Sequence, residues 1–193
     1  MKNLPTLAAA VPLVLGLVLA AALTAAAPAR ADQNDDRLQG LFVQLLEAPG
    51  PAEAQSIEGM IWSIWVQSDD GAVRALMQDG VSALSRGDYP HALGKFEQMV
   101  VVAPDFAEGW NKRATVHYLL GNYALSLADI AKTLELEPRH FGALSGRGLV
   151  YIALRDEARA LKAFDAALAI HPNLVSAAIN AAQLRKILRE RDI

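Results

Sequence analysis

From residue 38 onward, apolar side chains return every third or fourth position, the spacing of one face of an α-helix. Leu38, Leu41, Phe42 and Leu45 form one stripe; Ile57, Ile61, Ile64 and Trp65 form the next. Pro49-Gly50-Pro51 breaks the chain between them, so residues 35–67 predict a helical hairpin. Further on, a small residue is followed four positions later by a bulky one: Ala92 and Phe96, Ser126 and Ile130, Ala160 and Phe164. Each such pair shares a helix face. Near the end, Val175, Ala178, Ile179, Ala182 and Leu188 suit an inner face, and Arg185, Lys186, Arg189 and Arg191 an outer one.

These stripes recur with a period of 34 residues. Gly87-Asp88-Tyr89 and Gly121-Asn122-Tyr123 stand 34 apart, as do Pro104, Pro138 and Pro172 in succession. Three copies follow without insertion: 73–106, 107–140 and 141–174. Each predicts two helices. Gly80, Ala114 and Gly148 supply the small residue where the first helix meets its partner. Gly87-Asp88 and Gly121-Asn122 supply turns that tolerate positive φ. The third turn, Arg155-Asp156-Glu157, lacks its glycine and must adapt. Proline then ends each hairpin, having no N–H with which to continue a helix.

On these residues the chain resembles the tetratricopeptide repeat family, all-α proteins whose helical hairpins stack into a right-handed solenoid. Trp110 takes the family's large first position, with Leu76 and Leu144 in the other copies. Tyr151 takes the tyrosine position, where Ala83 and His117 stand elsewhere. Ala167 takes the last alanine position, replaced by Met99 and Thr133. The resemblance covers 73–174, and three in-phase copies make it specific. Residues 32–72 then read as a degenerate hairpin capping the N-terminal end, and 175–193 as the C-terminal capping helix.

The first thirty-one residues read differently. Lys2 is the only charge before Arg30, and an uncharged apolar run ends at Ala29-Arg30-Ala31, a pattern of small residues that a signal peptidase accepts. Residues 1–31 are therefore expected to be a signal peptide, with Asp32 as the new N-terminus and the periplasm as destination. The run is also long enough to span a bilayer. The alternative is a retained inner-membrane anchor on a membrane-tethered assembly subunit.

Composition narrows the chemistry. The chain has no cysteine among its 193 residues, which excludes disulfides, thiol redox chemistry and Cys-based zinc sites. Its net charge of −3 argues against nucleic acid as a partner. His91, His117, His140 and His171 form no i, i+4 pair and no HExxH, and read as surface or packing residues. Gly142, Gly146 and Gly148 lie inside a helix rather than after a strand, so they read as packing glycines, not a phosphate loop. No catalytic constellation, metal site or cofactor site is expected.

Interaction features remain. Trp62 and Trp65 are expected to dock on the first repeat; an exposed Trp62 would instead mark a contact site. Asp79 and Arg113 replace a family leucine in successive repeats, which suggests either an inter-repeat ion pair or a solvated Arg113. The acidic N-terminal and basic C-terminal ends leave self-association open. The resemblance implies a concave groove lined by Arg74, Met77, Val81 and Leu84, then Glu108, Asn111, Thr115 and Tyr118, then Ser145, Leu149 and Ile152. Chaperone-binding members grip a C-terminal carboxylate with Lys and Asn. The matching places here hold Met77, Val81, Lys112, Gly142 and Gly146, of which only Lys112 is charged, so that role is not expected. The implied function is an exported, non-enzymatic adaptor of a Gram-negative envelope, binding a protein, peptide or helix in the groove.

Overall fold

The computed structural model describes residues 32–191; the expected signal peptide lies outside them. A 3-10 turn (Asp32–Asn34) precedes nine α-helices among the described residues: α1 (Arg37–Glu47), α2 (Pro51–Trp65), α3 (Gly71–Ser85), α4 (Tyr89–Val102), α5 (Ala107–Leu119), α6 (Tyr123–Leu136), α7 (Phe141–Ala153), α8 (Glu157–Ile170) and α9 (Val175–Arg191). No strand occurs among these residues, and none of their helices is long and apolar enough to cross a membrane.

The three repeats are the antiparallel pairs α3–α4, α5–α6 and α7–α8, stacked in chain order. Small residues let each pair close. A Cβ on Gly80 would come within 2.5 Å of the Phe96 ring, and one on Gly148 within 2.6 Å of the Phe164 ring. The second repeat has the narrower Ile130 in that place and accepts Ala114. The turns are alike in all three. Gly87 and Gly121 adopt φ of 74° and 77°, and Arg155 adopts 59°. The amide of the following residue bonds back to the carbonyl five positions earlier: Asp88 to Ala83, Asn122 to His117, Asp156 to Tyr151. The third turn therefore keeps the left-handed geometry and places an arginine in it.

The ion pairs correct one expectation. Asp79 pairs with Lys95 at 3.4 Å, and Arg113 grips Asp129 through two hydrogen bonds of 2.7 and 2.8 Å. Both pairs join the two helices of a single repeat, with the charges swapped between repeats one and two. Asp79 and Arg113 face their own second helix rather than each other.

The ends also differ from expectation. On α9 the buried residues are Ala177, Ala181 and Leu184, while Val175 and Ile179 are 55% and 61% exposed and Ala178 and Ala182 lie open. Two of its arginines turn back to α8, Arg185 to Asp165 and Arg191 to Glu157. The α1–α2 hairpin does not cap repeat one. Its apolar face (Leu38, Phe42, Leu45, Ile57, Ile61, Trp65) packs on Phe141, Ile170 and Leu174, at the start and end of repeat three. Several residues of α3 that remain exposed are small or polar, among them Ala72, Ala75, Gln78 and Asp79. Gln33 fastens the hairpin's leading end to the start of α5, donating to the Asp105 carbonyl and accepting from the Ala107 amide. Asn173 fastens the loop between α1 and α2 by donating to the Ala48 carbonyl.

Candidate functional site

The groove is expected along the first helix of each repeat, and α2 meets the solenoid near the starts of two of them, α5 and α7, through Trp62. Trp62 and Trp65 project from α2 three residues apart, and both find contacts. Trp65 is buried and stacks on His140, ring centroids 4.1 Å apart with planes 10° apart. Trp62 meets Trp65, His140 and Phe141 edge-on at 5.2, 5.4 and 5.7 Å. Its far edge lies over Gly142, where a Cβ would approach to 2.8 Å. Docking on repeat one, expected from the sequence, gives way to docking on repeat three, because the bare Gly142 backbone makes room for an indole there.

Polar groups close the same contact. His140 precedes α7, and its Nδ1 accepts the Ala143 amide at 3.1 Å, capping the helix. An accepting Nδ1 carries no proton, so Nε2 holds it and donates to Glu108 Oε2 at 3.0 Å. The same oxygen accepts from Asn111 Nδ2 at 2.8 Å, and Oε1 faces Lys112 Nζ at 2.9 Å. Burial pushes the Glu108 carboxyl up, but the His140 hydrogen bond and the Lys112 charge outweigh it and hold the group below its ordinary value. A second bridge runs parallel. Glu58 of α2 accepts from Trp62 Nε1 at 3.1 Å and meets His171 Nε2 at 3.2 Å. The Glu58–His171 pair thus ties α2 to the solenoid, and the Glu108–His140 pair holds the imidazole on which Trp65 stacks. His140 and His171 are buried packing residues, while His91 is exposed.

The expected groove residues divide into several sets. Asn111, Thr115, Tyr118 and Leu149 come together around a depression of about 80 Å³, floored by Ala114, Ser126 and Ile130 and edged by Gly142 and Gly146. Val81, Leu149 and Ile152 are 40%, 36% and 39% exposed. Ile152 faces a separate depression shared with Asn180, Gln183 and Ile187 of α9. Arg74 is exposed and donates to the Ser68 carbonyl at 2.7 Å. Ser145 is half-buried.

Met77, Leu84 and Glu108 depart from the expected wall. Met77 is buried in the core of repeat one, and Leu84 packs against that core. Glu108 is 1% exposed, next to His140 at the hairpin contact. Lys112, the one charged clamp position, is engaged by Glu108 and lies 5.6 Å from the Trp62 ring centre. The residues that seat α2 went unrecognised as a group. Their one signal was Gly142, a glycine opening a helix where the other repeats carry Arg74 and Glu108.

Known proteins share this organisation. The family model for the tetratricopeptide repeat matches residues 77–132 and 120–175. A TPR repeat-containing protein of Rhizobium etli is 38% identical over 136 residues, covering 70% of this chain and 67% of that protein. The Hsp70-Hsp90 organizing protein of Triticum aestivum is 31% identical over 94 residues, 49% of this chain but only 16% of its own length. Among solved structures, the first TPR domain of Spaghetti bound to an HSP90 peptide superposes with a TM-score of 0.60 at 21% identity, covering 63% of this chain and 96% of that one. The Sgt2 TPR domain from Aspergillus fumigatus gives 0.60 at 18% identity, covering 64% and 83%. With the three repeats, their shared turns and this match in hand, the chain belongs to the tetratricopeptide repeat family.

Proposed function

We propose that this chain is a non-catalytic protein–protein interaction scaffold that binds a peptide or helix in the part of its groove that α2 leaves open. The observation that carries this reading is the depression between repeats two and three, where Thr115, Tyr118 and Leu149 stand around a floor of Ala114 and Ile130. Exposed apolar side chains grouped in a concave wall favour a partner's apolar side chains over water. The Spaghetti domain, bound to an HSP90 peptide, and the wheat organizing protein, named for Hsp70 and Hsp90, support interaction as the general role. A clamp for a free C-terminal carboxylate is not part of the reading, since Lys112 already serves Glu108. A photo-crosslinking residue at Tyr118 should capture a partner in cells, while one at Val101, 78% exposed at the end of α4, should not. Equal capture at both positions contradicts the reading.

The site of action is proposed as the periplasm, on the strength of the apolar run before Ala29-Arg30-Ala31. Intact mass of the exported protein tests this: a chain beginning at Asp32 supports a soluble exported scaffold, and a chain retaining residues 1–31 supports the membrane-tethered alternative.

A further inference from the structure

The groove wall of α7 carries two glycines one helical turn apart, Gly142 and Gly146. The first is occupied. Trp62 of α2 lies over it so closely that a Cβ there would come 2.8 Å from the indole. The second is open: a Cβ on Gly146 would meet nothing nearer than Ile130 Cδ1 at 3.9 Å. Around Gly146 lies the depression described above, about 80 Å³, walled by Tyr118 and Leu149. Three of its polar side chains already donate within the chain. Asn111 Nδ2 donates to Glu108, Thr115 Oγ1 to the Asn111 carbonyl, and Ser126 Oγ to the Ala114 carbonyl. No charged side chain lines it.

We infer that the bare Gly146 backbone opens a seat for a large apolar side chain, such as leucine or phenylalanine, presented by a partner α-helix lying beside α2. This rests on the groove-binding reading and specifies its occupant. Three observations carry it. The seat is continuous with the α2–α7 contact, so the same wall already holds one helix by setting a bulky side chain over a glycine. With the Thr115 and Ser126 hydroxyl protons and one Asn111 N–H already spent, the rim offers few donors to an extended peptide backbone, whereas a helix keeps its backbone bonds internal. Its lack of charge matches the apolar face of an amphipathic helix, read as anchors at i, i+3, i+4 and i+7. In the complex, α2 becomes one wall of the site rather than a plug that must leave.

The test is a titration of the full chain with an end-blocked amphipathic helical peptide carrying leucine at those four positions, against the same peptide with serine there. Four proteins are compared: wild type, Gly146→Leu, Gly40→Leu and Leu149→Glu. Gly40 lies exposed on α1 with nothing within 4 Å, and controls for adding a leucine to a helix. The expected result is leucine-peptide binding to wild type and Gly40→Leu, weakened about tenfold or more in Gly146→Leu by loss of one apolar anchor. Gly146→Ala, whose Cβ meets only ordinary contact, keeps the seat testable if the leucine variant does not fold, and should weaken binding about threefold. Binding lost in Leu149→Glu but unchanged in both Gly146 variants overturns the seat and leaves the groove reading standing. No binding to wild type, or equal binding of the serine peptide, overturns both.

Discussion

The imidazole of His140 lies flat on the indole of Trp65, centroids 4.1 Å apart and planes within 10°. One side chain thereby does three jobs: it caps α7 through the Ala143 amide, bonds Glu108 at the start of α5, and stacks on Trp65 of α2. The α1–α2 hairpin is thus held by residues from two repeats at once, and the groove is shortened from one end by the chain's own helix.

Removing His140 should therefore release more than a cap. His140→Ala leaves Glu108 buried with only Lys112 and Asn111, and should cost about 2–3 kcal/mol, the loss of a buried hydrogen bond to a charged group. Urea unfolding measures the loss. Hydrogen exchange should show α2 amides losing protection before those of α3 and α4. A uniform loss across all helices would argue that the hairpin is not separately anchored through His140.

Acid should loosen the same contact. The Glu108 carboxyl titrates lower in the folded chain than its ordinary 4.5, so below that value the unfolded chain binds more protons than the folded one. The stability it confers is complete above about pH 4.5 and fades as pH falls through the lower folded value. Glu108→Gln should flatten that limb of the stability profile and leave the limb above pH 6 parallel to wild type. An identical acid limb in the variant would contradict the assignment.

Gly142 and Gly146 should respond oppositely to alanine. Gly142→Ala forces Trp62 aside and should destabilise by about 1–3 kcal/mol, with a change in tryptophan emission. Gly146→Ala meets only open space and ordinary contact, and should be neutral or stabilising through better helix propensity. Thermal melts and fluorescence of the two proteins read the difference.

Arg155 holds a left-handed backbone that glycine adopts freely, at φ 59°. Arg155→Gly should raise stability by about 0.5–1 kcal/mol, the relief of left-handed strain less the extra freedom glycine has when unfolded. For a chain of this size that is a rise of roughly 1–4 °C in Tm. An unchanged or lower Tm would show that the turn carries no strain.

The solenoid was legible because its signals are backbone signals. Gly87, Gly121, Pro104, Pro138 and Pro172 mark turns whatever the surrounding side chains do. The phase of α9 was not legible, since its buried face is Ala177, Ala181 and Leu184, and alanines on both faces leave little amphipathic contrast. The hairpin's own helices were visible in its stripes. Its docking place was not, because it depends on contacts between residues about a hundred positions apart, such as Glu58 with His171. Asp79 and Arg113 misled for a related reason: equal repeat positions suggested they face each other, yet each helix turns that position toward its own partner helix.

Partners are expected to bind the part of the groove that α2 leaves open. A crosslinked pull-down from envelope extract tests this most directly, comparing wild type with Leu149→Glu, in the open part, and Val101→Glu, away from the groove. A partner held by wild type and Val101→Glu should be lost from a folded Leu149→Glu protein. The same partners on all three proteins, or loss with Val101→Glu alone, would contradict it.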